Sequence, residues 1–131
     1  MPRTASDVAA QLFTAIESRS PSAVAALYDD AVGVWHNFDD AVQSKADNVK
    51  TLEGLTKAVE KIRYEVIERH QIGDRVIQRH NLHCTTREGK EITIPAAIFI
   101  TVKNDKIVRI DEYLDTAQAN ALRTATGRPR I

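Results

Sequence analysis

Cysteine is nearly absent from this 131-residue chain: Cys84 stands alone, so no internal disulfide can staple the fold. The opening stretch MPRTASDVAA lacks the apolar run of a signal peptide, which makes a reducing cytoplasm the expected compartment. Nor does any apolar stretch approach the roughly 20 residues that cross a bilayer, so a soluble protein without a membrane partner is expected. Charge of one sign is missing as well. Eighteen basic residues balance eighteen acidic ones, which leaves no electrostatic footprint for nucleic acid or an anionic surface. Glycine is scarce at five residues, and none falls in a G-x-S-x-G elbow, a G-x-G-x-x-G turn or a phosphate loop, so neither a nucleotide nor another cofactor is called for. Internal repeats and low-complexity segments are absent.

What remains is enough for one domain over residues 1–131, which at this length buries about two thirds of its unfolded surface. Ser6 or Asp7 can cap a first helix carrying Val8, Leu12, Phe13 and Ile16, ending near Ser18. Ser20-Pro21 opens a second through Val24, Leu27 and Tyr28. Ala31 to Phe38 is a short strand, with Val32, Val34 and His36 on one face and Gly33, Trp35 and Asn37 on the other. Ser44 with Asp47 starts a third helix in which Val49, Leu52, Leu55, Val59 and Ile62 form one stripe over about four turns. The period then changes to two. Strands are expected over Arg63–Ile72, Arg75–Thr86, Glu91–Lys103 and Lys106–Asp115, joined by turns at Gly73-Asp74, Glu88-Gly89-Lys90 and Asn104-Asp105. Ile92, Ile94, Ala96, Ile98, Ile100 and Val102 make a nearly pure apolar row, and Pro95 beside them implies a bulge or an edge. Thr116 to Arg123 can form a last turn or two of helix, and Ala125 to Ile131 reads as a loose tail. This order predicts an α+β fold in which a curved antiparallel sheet wraps helices and encloses a pocket for a small ligand.

The final strand, KIVRIDEYLD, concentrates the chemistry. Alternation puts Val108, Ile110, Glu112 and Leu114 on one face, and Ile107, Arg109, Asp111, Tyr113 and Asp115 on the other. Glu112 thus lies in the more apolar row, where desolvation raises a carboxyl pKa toward the range of a general base; an ordinary salt-bridged strand residue is the plainer reading. Arg79, Asn81 and His83 share a row that either faces the same cavity or lies on the outer, solvated face. Trp35 and Asn37 share another. Of the four histidines, His80 and His83 are three apart and so on opposite faces, and His36 and His70 stand alone; no metal centre is expected. Cys84 shares its face with Leu82 and reads as a small buried hydrophobe.

The order of elements, together with the segments VAALYDDAVGVWHN and KIVRIDEYLD, resembles the nuclear transport factor 2-like superfamily over about Asp7 to Asp115, particularly its SnoaL-like and limonene-epoxide-hydrolase-like branches. The resemblance implies a cone-shaped bent sheet around N-terminal helices and a homodimer joined through the outer sheet face. Against the epoxide-hydrolase pattern, Trp35 and Asn37 match the water-holding pair, Glu112 the water-activating carboxylate, and Arg79 and Asn81 an arginine–acid pair whose acid has become an amide. The ketosteroid-isomerase pattern fails, since its functional positions fall near Leu12, Trp35 and Ala97. The SnoaL-like polyketide cyclases ask for little more than one cavity carboxylate, a role open to Glu112.

The resemblance therefore implies a protein that binds a small, largely apolar molecule and performs a cofactor-free proton transfer or water addition: cyclisation, isomerisation or epoxide-hydrolase-like hydrolysis. Glu112 would be the base, Arg79 its orienting partner, Asn37 and Asn81 the groups that position water or a substrate oxygen, and Trp35 part of the wall. The alternative is a non-catalytic ligand-binding or dimerisation module in which Glu112 and Arg79 form a structural ion pair. A large pocket with Glu112 at its floor would favour the enzyme; a cavity filled by Trp35 and Phe99 would favour the module.

Overall fold

The computed structural model describes residues 3–128. Helices α1 (Ala5–Glu17) and α2 (Pro21–Leu27) are followed by strands β1 (Tyr28–His36) and β2 (Val42–Gln43) and then by helix α3 (Lys45–Ala58). Four long strands follow, β3 (Val59–Ile72), β4 (Arg75–Thr86), β5 (Glu91–Lys103) and β6 (Lys106–Leu114), and then helix α4 (Thr116–Thr126). The strands form one curled, unclosed sheet in the order β2-β1-β6-β5-β4-β3. β3 to β6 are joined by antiparallel hairpins, whereas β1 lies parallel to β6. That one parallel pairing carries His36 level with Glu112, residues 76 positions apart in the chain.

Local chemistry explains most element boundaries. The first cap is Thr4, whose hydroxyl accepts from the Asp7 amide while the Asp7 carboxylate accepts from the Thr4 amide, a reciprocal box that displaces Ser6 and Asp7 from the expected cap. Ser20 with Pro21, and Ser44 with the Asp47 amide, start α2 and α3 as the sequence implies. α2 stops at Leu27, so Tyr28 opens β1. α3 ends at Ala58, so Val59 and Ile62 belong to β3 rather than to the helical stripe: β-branched residues satisfy either period, and pairing of Val59 with Thr86 and of Ile62 with Cys84 decides for the sheet. α4 runs to Thr126 and closes on Gly127 at φ 67°, a left-handed cap. Ala125 and Thr126 are accordingly helical and not part of a tail; residues 129–131 lie outside the described residues.

Pro95 makes neither an edge nor a bulge. Its carbonyl accepts from the Asp115 amide, just beyond the last β5–β6 pair at Ala96 and Leu114. In an antiparallel strand the missing N–H would point the same way, off the end of β6, so no ladder bond is lost.

The core lies between the concave sheet face and α1, α2 and α3. Val8, Leu12, Phe13 and Ile16 from α1 pack on the Ile92-to-Val102 row of β5 and on Val32 and Val34 of β1. A register shift beside Val102 turns Ile107 inward too, where it is fully buried instead of joining Arg109 and Asp111 outside. Ile94 is completely inaccessible, so Ile94→Ala should lower the free energy of unfolding by about 2 to 5 kcal/mol through lost burial and a residual cavity. Chemical denaturation of the two proteins measures this, and a loss below about 1 kcal/mol would place Ile94 outside the tightly packed core.

Candidate functional site

The polar centre of the inner face is built from strand residues that alternate with core residues. Val34 and His36 on β1, Ile110 and Glu112 on β6, and Gln78 and His80 on β4 all point inward, because i and i+2 share a face. Val34, His36, Ile110 and Glu112 line a cavity of about 50 Å3, together with Leu12, Phe13, Tyr28, Leu52, Tyr64 and Ile98 among others, and His80 lies beside it against Phe13, Tyr64 and Glu112. A space of this size, beside several polar groups, is on the scale of one or two waters.

Glu112 is the charge at the centre, with its side chain 15 % exposed. Oε1 lies 3.0 Å from Nε2 of His36, and Oε2 lies 3.6 Å from Nε2 of His80, beyond hydrogen-bond length. Burial alone would raise the Glu112 pKa, but the hydrogen bond from His36 and the attraction of the nearby His36 and His80 rings outweigh it and bring it down to about 2. The sequence-based expectation of a raised pKa is thus corrected: desolvation is present, and two histidines from other strands more than compensate it. Burial, with the Glu112 charge added, pushes the phenols of Tyr28 and Tyr64 upward, so both remain protonated. Tyr28 donates to Oδ1 of Asn48 at 2.6 Å, Asn48 Nδ2 donates to Gln43 at 2.9 Å, and Gln43 donates to Thr51 at 2.8 Å, a chain that ties α3 to β1 and β2.

An ionised carboxylate only accepts, so His36 donates from Nε2, and in the neutral form of the ring that leaves Nδ1 as the bare nitrogen. That atom is buried and has no partner. A carboxylate on one ring nitrogen with the other nitrogen free is the arrangement that orients a histidine as a general base and stabilises the imidazolium it becomes. His80 Nε2 is likewise buried and unpartnered.

The other residues singled out from the sequence lie elsewhere. Arg79 is on the convex face, paired with Glu68 at 3.2 Å, and Asn81 beside it reaches Glu65 at 3.4 Å. Neither orients Glu112, because the odd-numbered row of β4 faces outward. Trp35 is paired across from Asp111, outside the cavity, where its ring packs against Tyr113 and its Nε1 donates to Asp40. Asn37 clamps the end of β6, donating to the Leu114 carbonyl and accepting from the Leu114 amide. Phe99 also meets Tyr113 on the outer face, so neither Trp35 nor Phe99 fills the cavity. Burial pushes the Cys84 thiol up to about 12, which leaves it an inert apolar group. Among the described residues no group of three or more histidine, cysteine, aspartate or glutamate side chains is placed to hold a metal ion.

His36, Gln78 and His80 are the residues sequence reasoning passed over. A signal was there. The even-numbered row of β4 runs Val76, Gln78, His80, Leu82, Cys84, and a polar residue flanked by apolar ones in a strand faces the core for the reason Glu112 does.

The family model of the SnoaL-like domain matches residues 9–110. The chain belongs to the SnoaL-like domain family. Among solved structures it is similar to PrhC from Penicillium brasilianum NBRC 6234, at 14 % identity and TM-score 0.84 over 94 % of this chain and 87 % of that one. It is also similar to a candidate SnoaL-like polyketide cyclase from Shewanella denitrificans OS-217, at 11 % identity and TM-score 0.80 over 92 % of this chain and 97 % of that one. The same holds for IdmH, a candidate polyketide cyclase from Streptomyces antibioticus, at 14 % identity and TM-score 0.80 over 93 % and 99 %. The fold is nuclear transport factor 2-like, as in a protein of that description from Burkholderia thailandensis E264, at 21 % identity and TM-score 0.76 over 92 % of this chain and 97 % of that one. No curated protein matches the chain by sequence. No helix among the described residues is long and apolar enough to cross a membrane.

The depressed Glu112 pKa fixes a pH dependence. Because the folded value of about 2 lies below the ordinary 4.5, ionised Glu112 favours the folded state; this stabilisation is complete above about pH 4.5 and is lost as the pH falls toward 2. Denaturation as a function of pH should show about 3 kcal/mol disappearing in that window in the native protein and a much flatter profile in Glu112→Gln. Equal slopes in both proteins would mean that Glu112 titrates as an ordinary carboxyl.

Proposed function

We propose that this SnoaL-like protein binds a small, largely apolar molecule on the concave side of the sheet and moves a proton on it without a cofactor. The observation that carries the reading is the His36–Glu112 pair: an imidazole bonded to a buried carboxylate through Nε2, with Nδ1 buried and unpartnered. In this arrangement His36 is the base. Glu112, ionised far below neutral pH, is too weak a base itself and serves to orient His36 and balance the imidazolium. The chemistry that suits one base in an apolar wall is removal of a proton from a carbon next to a carbonyl, as in cyclisation or isomerisation, or from a water added to the substrate. The family and the cyclase-like neighbours support the first class.

A second reading, a binding module without catalysis, is favoured by the cavity volume. About 50 Å3 does not hold a polycyclic ketone unless Phe13, Leu52 or their neighbours move. The two readings separate on hydrogen–deuterium exchange. With a panel of cyclic and polyketide-like ketones in deuterated buffer, the enzyme reading expects protein-dependent exchange of the α-protons, reduced about 100- to 10,000-fold in His36→Gln. Saturable binding with no exchange, or exchange that survives His36→Gln, would overturn it in favour of the module.

In the same reading the protein works as a cytoplasmic homodimer joined through the convex face of the sheet. Trp35, Phe99 and Tyr113 form a continuous aromatic cluster there, and Tyr113 is 51 % exposed. Light scattering should report twice the chain mass for the native protein and a monomer for Tyr113→Asp. A native monomer at tens of micromolar concentration would remove the dimer from the proposal.

A further inference from the structure

We propose that Gln78 and Arg69 are positioning residues that hold His80 in the tautomer with its proton on Nε2, so that His80 faces Glu112 as a donor and His36 alone is left as the base. This rests on the dyad reading above and adds a division of labour between its two histidines.

The inference follows from what each group can donate. Arg69 Nε lies 2.7 Å from Oε1 of Gln78, and a guanidinium has no acceptor, so the oxygen of the amide must face it. The amide nitrogen then faces Nδ1 of His80 at 2.9 Å, and an amide NH2 can only donate. Nδ1 is therefore bare, and the neutral ring carries its hydrogen on Nε2, 3.6 Å from Oε2 of Glu112. Each step removes one choice from the next. His80 itself is 1 % exposed and Gln78 wholly inaccessible, so water does not compete for these bonds.

The fold builds this chain by a local irregularity. From Ile62 to Val66 the inward residues of β3 are even-numbered and pair with Cys84, Leu82 and His80. The register then shifts between Val66 and Glu68, so that Arg69, an odd-numbered residue, pairs with Gln78 on the inner face. Its guanidinium also sits 5.9 Å over the Phe13 ring, and Phe13 and Tyr64 each meet the His80 ring edge-on. A bulge that brings a cation to the concave face thus sets the proton position of a histidine two side chains away.

The consequence for chemistry is an electrophile beside a base. A neutral imidazole N–H donates to an oxygen on which negative charge develops, the complement of a base that removes a proton from the adjoining carbon. His80 Nε2, buried and without a hydrogen-bond acceptor, is the donor the proposal assigns to that role.

Long-range nitrogen-15 correlation spectra of the native protein, with His80 assigned through His80→Gln, read the tautomer directly and need no substrate. The expected pattern is a protonated Nε2 and a bare Nδ1 for His80. Gln78→Glu keeps the shape and still accepts from Arg69 but turns a donor into an acceptor, so the proton should appear on Nδ1. Arg69→Met frees the amide to rotate, so both tautomers should be populated. A native His80 with its proton on Nδ1, or a His80 pattern in Gln78→Glu identical to the native one, would overturn the proposal. Should Gln78→Glu fail to fold, the native spectrum and Arg69→Met still decide. The native pattern as expected with no α-proton exchange on any ketone would sink the dyad reading and leave the positioning intact; the opposite pattern with exchange that depends on His36 would sink the positioning alone.

Discussion

A buried carboxylate that stays ionised is the constraint on which the concave face depends. Removing Glu112 from water costs several kcal/mol unless polar groups replace the lost hydration, and two separate strands supply them: a hydrogen bond from His36 and the His80 ring 3.6 Å away. His36 comes from β1, which runs parallel to its neighbour β6, and His80 from β4, two strands away on the other side. Drawing these three groups together requires the sheet to curl, and the curl leaves the small cavity beside them. Charge, curvature and pocket are therefore one feature seen three ways.

Around that centre the polar groups are arranged so that few choices of proton position remain. Tyr28, Asn48, Gln43 and Thr51 form one directed chain, and Arg69, Gln78 and His80 form another. Both lie among apolar residues, where an unsatisfied donor or acceptor costs about 1 to 3 kcal/mol, so each bond reinforces the orientation of the next. Among the described residues the exceptions are Nδ1 of His36 and Nε2 of His80. Both belong to residues that adjoin Glu112, and buried polar atoms without a partner are uncommon enough in folded proteins that their concentration beside one carboxylate is the distinctive feature of this face.

A hollow of about 680 Å3 lies apart from this centre, lined by Glu17, Arg19, Lys61, Arg63, His83 and Thr93 among others. It is larger than the cavity beside Glu112, yet its walls mix charges of both signs and it contains neither His36 nor Glu112. Size alone does not make a site; convergence of desolvated polar groups does. The outer row of β4, with Arg79 on Glu68 and Asn81 and His83 on Glu65, is by the same measure a solvated surface network worth little energy per pair.

Local pattern determined much of this protein. The pure apolar row of β5, the turns at Gly73 and Asn104, the caps at Ser20 and Ser44 and the inward position of Glu112 all follow from side-chain period and backbone chemistry within a few residues, and the structure keeps them. Where two periods were compatible, as at Val59 and Ile62, pairing partners far along the chain decided between helix and strand. The site was decided almost wholly by tertiary structure. Alternation says that Arg79 and His80 face opposite ways but not which of them faces in, and it says nothing of which strand lies beside which. Only the parallel pairing of β1 with β6, the curl that brings β4 across, and the bulge before Glu68 place His36 and His80 around one carboxylate and Arg69 on the Gln78 that adjoins His80, because strand order and register are set by the packing of the whole sheet and not by any segment of it.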